Sequence, residues 1–293
     1  MAQHSLEKGL SLRDSRPGFG ADQVRLLVGR IERYLDHCGE DQTVWNALNA
    51  LEEYCLHSER SGVDVPHVRE ALKRLHCKAP AGTAYPHGGT REVTRDDVHR
   101  HARIDLHWFV ASRSSVRSFT DEEVDIELIE RAVRMAQKTP SVCNRQSSRI
   151  RVLKDPVRKR EALRIQGGAR GFGEQIDTVL IVTSDISHFQ ASGERNQGWI
   201  DGGLFAMSVI YALHSLGLGT CALNWSKDRL TDREFRAAIG VPDSESIIML
   251  IAVGHLPERF RVAQSPAKPL SEALIVEEQA AGLVPSSVQN TPR

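Results

Sequence analysis

Two arginines and four serines share a short segment near the middle of the chain, and these residue types suit the binding of a phosphate group. The segment 112–119 reads SRSSVRSF and follows a stretch with helical periodicity. Guanidinium groups and hydroxyls donate hydrogen bonds to phosphate oxygens, and bonds to charged oxygens are the stronger kind. The candidate anion ligands are Arg113, Ser114, Ser115 and Arg117. Taken alone, the segment is more typical of a solvated loop.

A turn-rich segment, 139–146 (TPSVCNRQ), carries two carboxamides that fit the edge of a planar heterocycle. Asn144 and Gln146 each offer donors and an acceptor, which can pair with the carbonyl and imide groups along such an edge. An ordinary loop with a capping asparagine is the alternative. Cys143 has no His/Asp partner motif, so we predict a small packing residue and not a nucleophile.

Two later segments contain glycines that would let backbone approach a flat ligand. The first begins at Asp201, continues as a long apolar stretch and leaves through 217–225 (GLGTCALNW), where glycine favours a helix stop and a close approach. The second is 253–257 (VGHLP), followed by Lys268, which is a candidate second cation for a phosphate. A plain helix end and a solvated lysine are the alternatives.

The elements that must position these residues are helical in the first third of the chain and mixed thereafter. Apolar spacing predicts helices between Ala21 and Lys78, the last of them starting at Pro66. The Gly- and Pro-rich segment 79–94 is the predicted linker, with a boundary near residue 95. Further predicted helices are 97–112, 126–137, 232–239 and a long one from 199, and predicted strands are 149–153, 176–182, 220–223 and 246–253.

Charge and cysteine content exclude several classes of protein. Lys plus Arg equals Asp plus Glu at 38 each, so no long-range field favours nucleic acid or an anionic membrane. The five cysteines form no CxxC pair and no Cys/His cluster, which predicts neither a disulfide framework nor a metal site. The N-terminus lacks the apolar run of a signal peptide, and the apolar stretch 199–218 predicts a buried helix rather than a membrane span. We therefore expect a cytoplasmic protein.

Together, the four segments resemble the nitroreductase family. They match its Arg-x-Ser-x-Arg/Lys-x-Phe opening, its Pro-Ser-x-x-Asn-x-Gln turn, its Asp-x-Gly helix ending in Gly-Leu-Gly-Thr, and its Gly-Tyr-Pro-like exit, over residues 105–275. The resemblance implies an α+β sandwich with a mixed, mainly antiparallel sheet flanked by helices and preceded by a helical N-terminal region. It also implies a homodimer with two FMN sites at its interface. The implied division is 1–94 (helical extension and linker), 95–275 (FMN-binding domain) and 276–293 (a tail, flexible or reaching the partner subunit).

The resemblance implies a role for each candidate residue. Phosphate ligands lie at 113–115 and at 268, a cation near flavin N1/O2 at 117, ring contacts at 144 and 146, and backbone near N5 at 223 and 224. Flavin N5 would accept a hydride from NAD(P)H and pass it to a second substrate, so we predict no catalytic side chain and no metal. The predicted FMN-binding set is Arg113, Ser114, Ser115, Arg117, Asn144, Gln146, Leu223, Asn224 and Lys268.

The expected function is that of an FMN-dependent oxidoreductase, which uses NAD(P)H to reduce nitro compounds, quinones or conjugated carbonyls in a ping-pong cycle. The alternatives are a flavin-dependent dehydrogenase or oxidase in a biosynthetic pathway, and a non-catalytic flavin-binding interaction protein. Ser147-Ser148, Ser208 and His255 depart from the family's Pro-Trp, Asn and Tyr, which affects the ring contacts and the substrate pocket. The segment 4–20 (HSLEKGL to RPGFG) lies outside a small nitroreductase; it is either a lid or an appendage that enlarges the dimer interface.

Overall fold

Four helices form the N-terminal region of the computed structural model, which describes residues 2–13, 15–79 and 88–277. They are α1 (Ala2–Leu10), α2 (Ala21–Cys38), α3 (Gln42–Arg60) and α4 (Pro66–Lys78). Asp41 caps α3 by accepting hydrogen bonds from the backbone N–H groups of Thr43 and Val44, and Pro66 opens α4 where no N–H is needed. The predicted helical region is confirmed. Residues 80–87 of the predicted linker and 278–293 of the predicted tail lie outside the described residues.

Helix α1 was not predicted from the sequence, and one aromatic side chain explains how it docks. Leu6 is buried at 1% exposure, and Gly9 lies so close to Phe19 that a Cβ there would come within 2.0 Å of the ring. Phe19 in turn packs edge-on against Tyr54 of α3, with ring centroids 5.4 Å apart. The turn containing Phe19 therefore joins α1 to the core of the helical region.

The elements after residue 94 are both helices and strands, and they form an α+β unit. Its helices are α5 (Arg95–Ala102), α6 (Leu106–Ser112), α7 (Ile126–Ala136), α8 (Pro156–Gln166), α9 (Gln197–Ser215), α10 (Arg229–Ile239) and α11 (Leu270–Ala273), and its strands are β1 (Ser148–Leu153), β2 (Thr178–Asp185), β3 (Leu218–Asn224) and β4 (Glu245–His255). The prediction of one helix over 97–112 was wrong. Asp105 accepts a hydrogen bond from the backbone of Trp108 and thereby caps a new helix, α6.

The four strands form one antiparallel sheet in the order β1-β2-β4-β3. All eight residues of β2 are buried, which explains the apolar run Val179–Val182 at its centre. The single parallel pairing among the described residues is a bridge between Ser115 and Thr220 at the outer edge of β3. The four predicted strands are confirmed, although β2 begins at residue 178 instead of 176 and ends at 185 instead of 182. The other three strands extend beyond their predicted ranges by one to three residues in all.

Helices cover both faces of the sheet, which gives the predicted sandwich. One core joins α7 and α9 to the sheet through residues such as Ala132, Val209 and Leu180. The other core joins α8 and α10 through residues such as Ala162 and Phe235. Within the described part of the chain, no helix has the length and apolar content needed to span a membrane.

The prediction that the long apolar helix is buried holds for only one of its faces. In the single chain, Trp199 is 49% exposed and Ile200 is 53% exposed, both in the first turn of α9. Trp108 of α6 is 68% exposed as well. Because α6 contacts Tyr211 and His214 near the end of α9, Trp108 and the pair Trp199/Ile200 mark two uncovered apolar surfaces at opposite ends of this helix.

A buried carboxylate ties three strands together. Glu245 in β4 accepts hydrogen bonds from Arg151 in β1 at 2.7 Å, from Arg149 at 2.9 Å and from Thr183 in β2 at 2.7 Å. Burial alone would raise the pKa of Glu245, but the hydrogen bonds outweigh it and lower that pKa to about 2. The glutamate therefore stays ionised inside the sheet.

Candidate functional site

The arginine-serine segment is fixed to the edge of β3 by its apolar residues. The backbone N–H of Val116 donates to the carbonyl of Thr220 at 2.8 Å. Phe119 is buried, and its ring occupies the space that a side chain at Gly254 would need, since a Cβ there would lie 2.7 Å from the ring. Because the side chains of Val116 and Phe119 point inward, residues 112–119 are held along the edge of the sheet. This segment is called the ledge.

The two arginines of this ledge, Arg113 and Arg117, form no ion pair among the residues that the structure describes. The ion pairs of the α+β unit engage other arginines. Burial raises the pKa of the Cys221 thiol, and the positive charge of Arg117 partly offsets that rise, which places Arg117 next to β3. Arg113 lies two residues before Ser115, which is bridged to Thr220, and Arg117 lies two residues after it, so both arginines flank the residue that joins this segment to β3. Positive charge at such a position suits an anion.

The outer edge of β3 makes two hydrogen bonds to other parts of the chain, and its backbone is open between them. The carbonyl of Thr220 faces outward to Val116, and the carbonyl of Asn224 accepts from Nε2 of Gln166 at 2.9 Å. Backbone groups alternate in direction along a strand, so the N–H and C=O of Ala222 also face outward. Those of Leu223 face β4 instead. For a backbone contact with a ligand we therefore favour Ala222 and Asn224 over the predicted Leu223.

The turn with the two carboxamides has an unusual backbone. Cys143, Asn144 and Gln146 adopt φ values of 50°, 51° and 49°, in the left-handed region that non-glycine residues rarely occupy. Both carboxamides are exposed, and Nε2 of Gln146 donates to Oδ1 of Asn144 at 3.2 Å. The turn therefore presents a pair of neighbouring amide groups to its surroundings.

A buried aspartate and a serine of the turn itself hold this turn in place. Asp201 of α9 accepts from the backbone N–H of Val142 at 3.1 Å, and Oγ of Ser141 accepts from the backbone N–H of Gln146 at 3.0 Å. Sequence reasoning had assigned no role to the carboxylate of Asp201, because the residue it contacts lies 59 positions away. The aspartate acts through the turn and is a positioning residue.

Arg145 anchors the same turn from its inner side. Its guanidinium donates to the carbonyl of His188 at 2.8 Å and pairs with Glu194. The hydrogen bond from Arg145 lowers the pKa of Glu194 to about 2. Sequence reasoning missed this pair too, since the two residues lie on separate loops. The ion pair fixes the loop that follows β2 against the turn that precedes β1.

One chain does not bring all of the predicted ligands together. The arginine ledge lies at the β3 edge of the sheet, whereas Asn144 and Gln146 precede β1 at the opposite edge. Three strand spacings separate these edges, which amounts to about 14 Å. The side chain of Lys268 is 80% exposed, and its Nζ lies 3.0 Å from Oε2 of Glu272. Its role as a second phosphate ligand stays a prediction.

Comparison with known proteins identifies the family of the α+β unit. The sequence pattern described as "Nitroreductase family" matches residues 110–166 and 158–255. Through its α+β unit, the chain belongs to the nitroreductase family. The matched region begins in α6 and ends at the last residue of β4. The helical region of residues 2–79 lies before it.

Two curated relatives and one solved structure extend the comparison. The chain is 26% identical to an FMN reductase (NADPH) of Bacillus subtilis over 161 residues, which is 50% of this chain and 64% of that protein. It is 25% identical to an NADH dehydrogenase of Thermus thermophilus over 187 residues, or 53% and 88% of the two chains. A nitroreductase family protein from Clostridium difficile 630 shares the fold at a TM-score of 0.51 and 19% identity, covering 60% of this chain and 99% of that one.

Proposed function

We propose that this protein is an FMN-dependent oxidoreductase that takes electrons from NAD(P)H and reduces nitro compounds, quinones or conjugated carbonyls. The observation that carries the proposal is the pair of arginines, Arg113 and Arg117, which lie on the segment bridged to the open edge of β3 and form no ion pair among the described residues. The names of the two curated relatives, an FMN reductase and an NADH dehydrogenase, support the same chemistry.

The residues at this edge fit the two ends of FMN. Arg113, with the hydroxyls of Ser114 and Ser115, suits the phosphate, which needs several donors at one place. Arg117 lies nearer to Cys221 and suits the N1/O2 edge of the ring, where negative charge develops on reduction. The outward backbone of Ala222 can then lie against the ring. The ledge and β3 could therefore together contact both the phosphate and the ring of FMN.

The remaining ring contacts point to a second copy of the chain. Asn144 and Gln146 lie about 14 Å or more from the β3 edge within one chain. The exposed apolar side chains of Trp199 and Ile200 lie at the start of α9, close to the Asp201 that holds this turn. We propose a homodimer in which these surfaces are covered and each FMN site takes its ledge from one copy and its carboxamide turn from the other.

In this arrangement FMN supplies hydride transfer through its N5 atom. The side chains bind and orient: Arg113 fixes the phosphate, Arg117 stabilises negative charge at the ring edge, and the carboxamides set the ring's orientation. No side chain at the site is assigned a proton transfer. Because NAD(P)H and the acceptor would use the same face in turn, the expected kinetics are ping-pong.

Steady-state kinetics with a variant-mixing arm tests both parts of the proposal. NADPH or NADH is varied against menadione or nitrofurazone, and parallel double-reciprocal lines are expected. Arg113→Ala/Arg117→Ala and Asn144→Ala/Gln146→Ala are each expected to be nearly inactive alone. When the two variants are refolded together, mixed dimers should regain one intact site. Absence of NAD(P)H oxidation with every acceptor would contradict the function, and absence of any recovery on mixing would contradict the shared site.

A further inference from the structure

A polar cleft separates the N-terminal helices from the carboxamide turn. Its volume is about 510 Å³, and its walls come from α1, α2 and the start of α3 on one side and from residues 143–146, 188 and 190 on the other. Helix α1 also contacts the turn 142–144 directly. The cleft thus lies where the helical extension meets the turn assigned above to the flavin ring.

Helix α1 turns one polar face to this cleft. Ala2, Leu6 and Gly9 are buried against the helical core. Gln3, His4 and Glu7 occupy the neighbouring positions with the spacing of one helix face, and all three line the cleft. Gln3 donates to Glu7 at 2.9 Å, which holds both side chains in place. Since the buried face is fixed by Phe19, the polar face has a defined position.

Six carboxamides line the cleft, three from each wall; two of them are the ring contacts proposed above, and the other four are available to a substrate. The residues are Gln3, Gln42, Asn46, Asn144, Gln146 and Gln190. A carboxamide offers two N–H donors and an accepting oxygen, which is the inventory that hydroxyl groups need because each hydroxyl both donates and accepts. Ligand pockets are usually lined by apolar side chains with a few polar groups, and this cleft has the reverse composition.

The charges of the lining nearly cancel. Arg145 is paired with Glu194, and the other Arg, Lys, Asp and Glu side chains in the lining are Arg30 and Glu7, one of each sign. His4 and His188 also line the cleft. A strongly anionic or cationic ligand would therefore find no net complement.

We propose that this cleft binds the hydroxyl-rich, uncharged part of the second substrate, so that the electron acceptor is a polar, polyhydroxylated molecule rather than a simple apolar quinone or nitroarene. The inference rests on the proposed function, because it takes the turn 143–146 as the ring contact. The helical extension then forms a wall of the substrate pocket, and its carboxamides determine which acceptor is used.

Equilibrium binding to the FMN-loaded protein tests this inference without relying on turnover. The probes are para-nitrophenyl β-glucoside and para-nitroanisole, which share a nitroarene with an oxygen substituent and differ in the hydroxyl groups. The glucoside should bind about tenfold more tightly, as expected for one or two net hydrogen bonds. Gln3→Leu and Gln190→Leu, one from each wall, should each reduce that preference by about two- to tenfold. Gln23→Leu, on the exposed side of α2, is the matched control and should leave it unchanged.

The outcomes separate this inference from the proposed function. Equal binding of the two probes, or a preference that survives both cleft variants, would overturn the substrate class even when para-nitroanisole is reduced normally. A cleft variant that raises KM for NAD(P)H and leaves glucoside binding unchanged would overturn it as well, by assigning the cleft to the nicotinamide donor. Preferential glucoside binding that depends on the cleft, in a protein that oxidises no NAD(P)H, would support the cleft and refute the reductase.

Discussion

Replacing Arg113 by alanine should weaken FMN binding far more than it affects folding. Arg113 follows the last residue of α6, is half-buried, and forms no ion pair among the described residues. A charge-assisted hydrogen bond contributes about 1.5–3 kcal/mol, which corresponds to a roughly 13- to 160-fold higher Kd. Since the side chain is partly shielded from solvent, we expect the middle of that range, about 50-fold. The free energy of unfolding of the apoprotein should change by less than about 0.5 kcal/mol.

The assay is fluorescence titration of apoprotein with FMN, with urea unfolding measured in parallel. Arg103→Ala is the matched control, because Arg103 occupies the same position after α5 and is exposed. The control should bind FMN like the parent protein. If Arg113→Ala binds FMN as tightly as the parent, the phosphate assignment is wrong. If it instead loses stability by several kcal/mol, the arginine serves the fold and the reasoning from its missing partners fails.

Three further changes test the supports of the site and of the fold. Asp201→Ala should lower the free energy of unfolding by about 1–3 kcal/mol and raise the Kd for FMN, because the N–H of Val142 loses its acceptor. Asp201→Asn should recover most of the lost stability and most of the FMN affinity. Equal behaviour of the two variants would refute the positioning role. The folded-state pKa of Glu245 is lowered from 4.5 to about 2, so its stabilisation is complete above about pH 4.5 and is lost as the pH falls toward 2. Urea unfolding at a series of acidic pH values should therefore show that the free energy of unfolding falls more steeply with decreasing pH in the parent than in Glu245→Gln. The same pH dependence in both proteins would contradict the ionised state of Glu245 in the folded protein. Gly9→Val should displace α1, since a Cβ would lie 2.0 Å from Phe19; hydrogen exchange should accelerate in residues 2–10 and stay unchanged in the sheet, and unaltered exchange in α1 would show that the contact is unimportant.

The sheet was predictable because its strands carry local signals. The run 179–182 is apolar and mostly β-branched, as expected of a strand buried on both faces, and it belongs to an interior strand of the sheet. Helix α1 was missed because it contains Gly9 and only two large apolar residues, so its periodicity is weak; its burial depends on Phe19, which lies beyond the helix. The break at Asp105 was also missed. An aspartate can lie inside a helix or cap a new one, and the hydrogen bond that decides between the two, from the backbone of Trp108 to Asp105, is visible only in the structure.

The site was predictable in its residue types and not in its supports. Asn144 and Gln146 suggested ring contacts through their chemistry, and Arg113 suggested a phosphate ligand through its neighbours. The left-handed backbone that presents both carboxamides depends on contacts across 59 residues to Asp201 and across 49 residues to Glu194. Local patterns do not encode such pairings. Which strand residue faces outward is likewise fixed by the register of β3, which the sequence leaves open by one residue.

The central claim is that NAD(P)H delivers electrons to FMN held by this chain. The most direct measurement is anaerobic mixing of the FMN-loaded protein with NADPH and, separately, with NADH, while the visible flavin absorbance is followed. At least one of the two donors should abolish this absorbance within the time of one turnover, and adding menadione should restore it. Absorbance that is unchanged by either donor, in a protein that retains its FMN, would show that NAD(P)H is not the electron donor.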